Sequence, residues 1–186
     1  MLAPLERVSE FQTMLQRPRS MPKPKGKTVA ESQVEMVEVV LPNDTNSLGN
    51  VLGGRVMHLI DMAGAVAAHR HSRSLVVTAS VDYLDFVHPI RVGNLIILRA
   101  LVTRVFRTSI EVEVKVYLED YVTGRRLQTS SAFVTFVALD GEGKPTAVAP
   151  LIVRSAEEKR RYREALLRRR QRLAWAARAH RRYFEK

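Results

Sequence analysis

The segment RVMHLIDMAGAVAAHRH, residues 55–71, constrains this chain more than any other stretch. Val56, Leu59, Ile60, Ala63 and Ala67 recur at the spacing of one helical face, so the segment reads as a long buried helix. The turn formers of PNDTNSLGNVLGG, residues 42–54, precede it and give it a start. Ala63, Gly64, Ala65, Ala67 and Ala68 keep its surface small. Gly64 lowers helix propensity by about 1 kcal/mol relative to alanine, which close packing against a neighbour would offset. Such a helix suits the inside of a sheet that wraps closely around it.

The flanking sequence supplies that sheet. Residues 34–40, VEMVEVV, are rich in β-branched side chains and read as a strand ended by Pro42. After the helix come four long β-rich runs: LVVTASVDYLDF, LIILRALVTRVF, TSIEVEVKVYLED and LQTSSAFVTFVAL. The middle two are separated by a short turn around Arg107 and Thr108, and the four suggest an antiparallel meander. In SIEVEVKVY, Ile110, Val112, Val114 and Val116 fall on one face and Glu111, Glu113, Lys115 and Tyr117 on the other. That alternation predicts one covered face and one partly wet face. One strand, one helix and four strands make an α+β fold, with no βαβ alternation and no internal repeat.

Charge divides the chain into three parts. Of the net +11, residues 1–27 carry +4, residues 28–154 carry −1 and residues 155–186 carry +8. The globular part is therefore electrically ordinary, and any contact with a polyanion belongs to the ends. Residues 1–30 read as a flexible basic arm containing RPRSMPKPKGK, residues 31–153 as the folded domain, and residues 154–186 as a basic helix. Ser155 and Glu158 have capping-box spacing, and Tyr162, Leu166, Leu173, Ala177, His180 and Phe184 trace an apolar stripe expected to pack on a neighbouring subunit. Trp175 stands off that stripe as a second contact. With no cysteine, disulfides, thiolate metal sites and cysteine nucleophiles are excluded. No apolar run reaches the roughly 18 residues of a membrane span, and no secretory signal is evident, so a cytoplasmic location is expected.

The pattern NDTNSLGNVLGGRVMHLIDMAGAVAAHRHS, followed by VVTASVDYLDFVHPIRVGN and SAFVTFVALDGEGKP, resembles the acyl-CoA thioesterases of the cytosolic and brain acyl-CoA hydrolase type and their bacterial single-domain relatives. The resemblance covers about residues 34–152. GG before a helix is a weak signal; GNVLGG with a helical Asp seven residues after the second Gly, then TASVDYLDF, is specific in combination. The resemblance implies a hotdog fold, homodimers whose sheets join edge to edge, further assembly into hexamers as trimers of dimers, and hydrolysis of fatty acyl-CoA. Coenzyme A is then part of substrate and product, and no separate cofactor is expected.

Asp61 shares a helical face with Gly54, Met57 and His58, and is the candidate general base or nucleophile toward the thioester carbonyl. Asn50 cannot take a proton at neutral pH, so its candidate task is to orient water or bind the thioester through its amide; by itself an Asn beside Gly-rich sequence reads as turn chemistry. The resemblance implies that Asn50 of one subunit faces Asp61 of the other. Gly53 and Gly54 stand where unpaired backbone N–H groups at a helix start could polarise the thioester oxygen.

Thr78 and Ser80 are candidates for the pantetheine arm, which in hotdog enzymes runs beside this strand. Arg91, Arg107, Thr108 and Ser109 are candidates for the phosphates of coenzyme A. His58, His69, His71 and His88 lack a nearby acidic ligand pattern and read as solvated or capping side chains, so no metal is expected. A hydratase on the same fold would present an Asp/His pair, which Asn50 and Asp61 do not supply. The alternative to an enzyme is an acyl-CoA-binding regulator or a polyanion-binding protein. The charge distribution argues against nucleic acid as a ligand of the core.

Overall fold

The computed structural model describes residues 25–184, with side chains described through residue 178. Most of the expected N-terminal arm, residues 1–24, lies outside the described residues, as do the side chains of His180 and Phe184. The elements are β1 (Lys27–Thr28), β2 (Val34–Val39), a 3-10 turn (Pro42–Asp44), α1 (Gly53–Ser72), β3 (Leu75–Phe86), β4 (Leu95–Val105), β5 (Ser109–Glu119), β6 (Arg126–Leu139), β7 (Leu151–Ile152) and α2 (Ala156–Phe184).

The central helix lies where the periodicity placed it. Val56, Leu59, Ile60, Ala63 and Ala67 are buried against the inner face of the sheet, opposite Val112, Val114 and Phe136. A Cβ at Gly64 would stand only 3.0 Å from the Phe136 ring. The small residues of α1 therefore permit the close approach that large side chains would prevent.

The five long strands form one antiparallel sheet in the order β2-β4-β5-β6-β3. This is the expected α+β architecture, but only β4, β5 and β6 form a meander. β3 leaves the end of α1 and pairs with β6 at the edge opposite β2. The chain then returns through residues 87–94, anchored by buried Ile90, to begin β4 beside β2. An edge position leaves one side of β3 without a strand partner.

Two other expectations change. Residues 27–28, within the stretch read as an arm, belong to the fold: β1 pairs in parallel with β7, and Lys27 Nζ donates to the carbonyls of Arg70 and His71 at 2.7 and 2.8 Å. A cation there satisfies terminal carbonyls of α1 and complements the helix dipole. The second concerns the outer face of β5, which is covered: Glu111 is fully buried and Glu113 nearly so.

The cover is α2. Its capping box forms as its sequence predicts, with Ser155 Oγ accepting from Glu158 N at 3.1 Å and Glu158 Oε2 accepting from Ser155 N at 3.0 Å. Arg154 N, which donates to Glu158 Oε2 at 2.6 Å, and then Ser155 N hold the Glu158 carboxyl below its ordinary range. The helix docks largely through its arginines, with half-buried Tyr162 and Leu166 at the start of its apolar stripe. Arg168 reaches Glu111 at 2.7 Å and stacks 3.6 Å from the Phe133 ring, while Arg161 forms an ion pair with Glu113 at 3.2 Å. Arg104 stacks 3.9 Å from the Tyr162 ring and donates to the Tyr162 carbonyl. Leu173 and Trp175 are left exposed. Charged partners spaced along β5 select that face, because Glu111 and Glu113 would otherwise be desolvated without compensation.

Candidate active site

Asp61 lies in the third turn of α1, half-buried, and its carboxylate reaches β3. Thr78 Oγ1 donates to Asp61 Oδ1 at 2.6 Å. Asp61 Oδ2 accepts no hydrogen bond among the described residues and is free for chemistry. A carboxylate fixed through one oxygen and open at the other can take a proton from water or attack a carbonyl.

The start of α1 forms the second part. Leu52 caps it with extended backbone and no side-chain hydrogen bond, and the first amides bonded back to Leu52 O belong to Arg55 and Val56. Among the described residues the N–H groups of Gly53 and Gly54 have no acceptor, as expected for the first turn of a helix. They stand at the positive end of the dipole. A Cβ at Gly53 would lie 3.5 Å from Phe86, whereas one at Gly54 would meet nothing within 4 Å.

Asn50 sits beside these amides. It lines a cleft of about 330 Å³ with Gly53, Val56, Phe86, His88 and Ser130, and its backbone bridges to Arg91. The loop is organised by Asn46, whose Oδ1 accepts from Leu48 N at 3.0 Å and from Asn50 N at 3.2 Å. This is an Asx turn that leaves the Asn46 Nδ2 group unused among the described residues.

Asp61 is eight residues along the helix from Gly53, about 12 Å at 1.5 Å per residue. Among the described residues no hydrogen bond joins Asn50 to Asp61, and the cleft that Asn50 lines does not include Asp61.

The sequence pattern of the thioesterase superfamily matches residues 48–124. An acyl-CoA thioester hydrolase of Bacillus subtilis is 40% identical over 138 residues, spanning 74% of this chain and 80% of the relative. The chain belongs to the acyl-CoA thioester hydrolases. The cytosolic acyl coenzyme A thioester hydrolase of Rattus norvegicus is 37% identical over 143 residues; the match spans 76% of this chain and 38% of that relative's length. Among solved structures, the acyl-CoA hydrolase of Staphylococcus aureus, in complex with butyryl coenzyme A, coenzyme A and coenzyme A disulfide, superposes with a TM-score of 0.80 at 33% identity. It covers 86% of this chain and 99% of its own. The hotdog fold is thus that of this hydrolase family.

The remaining candidates divide. Thr78 touches Asp61, but Ser80 faces the other side of the sheet, donating to Asp82 Oδ1 at 3.2 Å. Arg91 is exposed next to Asn50, whereas Arg107, Thr108 and Ser109 form the β4–β5 turn. The 11 residues of β4 separate the two groups, about 36 Å at roughly 3.3 Å per residue. One chain cannot bring both to the same phosphate. Ser109 Oγ also accepts from Arg169 of α2 at 3.4 Å.

Of the histidines, His58, His69 and His88 are exposed, and His69 Nδ1 lies 2.9 Å from the Ser74 carbonyl. His71 departs from the expectation of a solvated side chain. It is fully buried, with Nε2 3.0 Å from the Ala149 carbonyl and Nδ1 3.1 Å from Ser32 Oγ. The carbonyl can only accept, so Nε2 carries the proton and Nδ1 accepts from the hydroxyl. Burial pushes the His71 pKa down, against the Ala149 hydrogen bond.

Proposed function

We propose that this chain hydrolyses fatty acyl-CoA to the free acid and coenzyme A at sites built between two copies of itself. The observation that carries this reading is the Asp61–Thr78 pair on the family's fold. Three solved variants of the Staphylococcus aureus hydrolase replace an asparagine, an aspartate fifteen residues later and a threonine seventeen residues after that by alanine. In this chain Asn46, Asp61 and Thr78 stand at those same spacings. Asn46 therefore joins Asn50 as a candidate for the amide that binds the thioester or orients water.

In this mechanism Thr78 holds the Asp61 carboxylate by one oxygen. The other oxygen either takes a proton from an attacking water or attacks the thioester carbonyl to give an anhydride that water then opens. In both courses the C–S bond breaks, coenzyme A leaves as the thiolate, and a proton from the water returns to it to give the free thiol. Charge developing on the carbonyl oxygen is met by the Gly53 and Gly54 N–H groups. The asparagine side chain comes from the partner copy. The chemistry needs no cofactor, since coenzyme A enters within the substrate.

Association follows from what one copy leaves exposed. Met57, Met62 and Val66 of α1 are exposed on the turns flanking Asp61, Val77, Val81 and Tyr83 are exposed along β3, and β3 is an edge without a strand partner in one subunit. Such an apolar surface beside an unpaired edge fits a second copy of the same chain. A solved acyl-CoA thioesterase that is 40% identical, with a TM-score of 0.79, is hexameric, which supports a trimer of dimers here. A cytoplasmic site of action fits a role in fatty acid metabolism, and among the described residues no helix is long and apolar enough to cross a membrane.

The test is thiol release from acyl-CoA esters of increasing chain length by wild type and Asp61→Ala, each checked for fold and assembly. Turnover by wild type that disappears in the variant supports the reading. An assembled wild type that releases no thiol across the series removes it.

A further inference from the structure

The geometry points to Arg172 of α2 and Asp82 of β3 as positioning residues that set the Thr78–Asp61 contact from the far side of the sheet. This inference rests on Asp61 being the catalytic carboxylate.

The register of β3 carries the argument. Thr78 pairs with Phe136 and Ser80 with Thr135, so Ala79 is an extra residue in the ladder. A second irregularity separates Val81, opposite Val134, from Leu84, opposite Ala132. Phe136, Val134 and Ala132 all belong to the core facing α1. A bulge shifts the side-chain alternation by one. Thr78 therefore faces α1 and Asp61, residues 80–83 are turned over, and Leu84 faces the core again. Without the first bulge, Ser80 and Asp82 would point inward with Thr78.

Within one subunit this inverted segment is weakly held by backbone. β3 is an edge strand, and between the two irregularities only Ser80 and Val81 keep partners in β6. Side chains supply the missing constraint. Ser80 Oγ donates to Asp82 Oδ1 at 3.2 Å, and Arg172 of α2 pairs with Asp82 Oδ2. The Arg172 and Asp82 side chains are each 17% exposed, so the pair is largely shielded from solvent. Arg172 is in turn fixed because α2 is anchored one turn earlier by Arg168 on Glu111. Releasing Asp82 frees the bulge, and Thr78, immediately before it, loses its fixed distance to Asp61.

The experiment is a double-mutant cycle in the full-length, assembled protein, with butyryl-CoA and a long-chain acyl-CoA as probes, reading kcat and KM separately. Arg172→Ala and Asp82→Asn are each expected to lower kcat about fivefold with little change in KM, and Arg172→Lys to retain most of it. Asp82→Asn leaves the other anchors of α2 in place and so guards against simple helix detachment. In the Thr78→Val background, Arg172→Ala is expected to cost nothing further. Arg163→Ala, on the exposed side of α2, is expected to match wild type. Equal losses from Arg172→Ala with and without Thr78, or full kcat in both single variants, would overturn the positioning role while leaving an inactive Asp61→Ala to stand for the catalytic reading. Full turnover by Asp61→Ala would overturn both.

Discussion

Thr78 Oγ1 donates to Asp61 Oδ1 at 2.6 Å, joining the edge strand β3 to the central helix α1 through the carboxylate proposed for catalysis. A hydrogen bond to a charged group contributes about 1.5 kcal/mol, roughly tenfold in rate. Thr78→Val is therefore expected to lower kcat about tenfold while Thr78→Ser retains most of it, measured by steady-state thiol release. Equal activity in all three would show that the contact does not serve the reaction.

Asn46 and Asn50 share one loop but do different work in it. Asn46 Oδ1 holds the turn, while Asn46 Nδ2 has no partner among the described residues. Asn46→Asp keeps that acceptor and replaces the amide nitrogen by a carboxylate oxygen. Loss of about a hundredfold in kcat in Asn46→Asp, with the melting temperature kept, would place the working amide at Asn46; the same loss in Asn50→Ala alone would place it at Asn50.

Two glycines of α1 are expected to fail in opposite ways. Gly54→Val meets open space in the subunit and should fold, yet narrow the approach to the first-turn amides and lower turnover at least about tenfold. Gly64→Ala forces a Cβ to 3.0 Å from the buried Phe136 ring. It should cost about 1–2 kcal/mol of stability despite a better helix propensity, since overpacking outweighs it. Thermal melts and turnover on both variants separate the two.

How much of this was legible in the sequence depends on whether a local period or a tertiary partner decides. The helical face of Val56, Leu59, Ile60, Ala63 and Ala67 and the extents of β3 to β6 followed from periods of 3.6 and 2. The covering of Glu111 and Glu113 did not, because alternation separates two faces without saying what lies on either. The inversion of residues 80–83 was hidden for a related reason: Ser80 sits two residues after Thr78, and only the bulge at Ala79 sends them to opposite sides. Asn46, proposed beside Asn50, reads in the sequence as ordinary turn chemistry, and its spacing to Asp61 carries meaning only beside the Staphylococcus aureus variants. His71 looked like a helix-end histidine because its partners, Ser32 and Ala149, are distant in sequence.

His71 makes stability depend on pH. Its pKa is lowered by burial in the folded protein, so below the ordinary imidazole value of about 6.5 the unfolded chain binds a proton that the folded chain refuses. The contribution is fully present above about pH 6.5 and is lost as pH falls through the lower folded value. Melting temperature followed from pH 8 to about 5 should decline for wild type more steeply than for His71→Gln. Parallel profiles would assign the decline to other groups.

Arg168 guards a buried charge. Its removal leaves Glu111 fully buried with Thr103 as the remaining donor, at 2.7 Å. Arg168→Ala should lose about 3 kcal/mol in denaturant unfolding, and Glu111→Gln in the same chain should recover part of it, because the uncompensated charge is gone. No recovery would mean that the loss comes from the stacking on Phe133 instead.

The most direct test of a site shared between copies is complementation. Asp61→Ala subunits and subunits carrying both Asn46→Ala and Asn50→Ala, each inactive alone, are unfolded together, refolded and assayed for thiol release. Random pairing into two-fold dimers leaves one intact site in every mixed dimer, so activity should return to roughly a quarter of wild type. Mixed assemblies that form and stay inactive would place the whole site within one subunit and contradict the account.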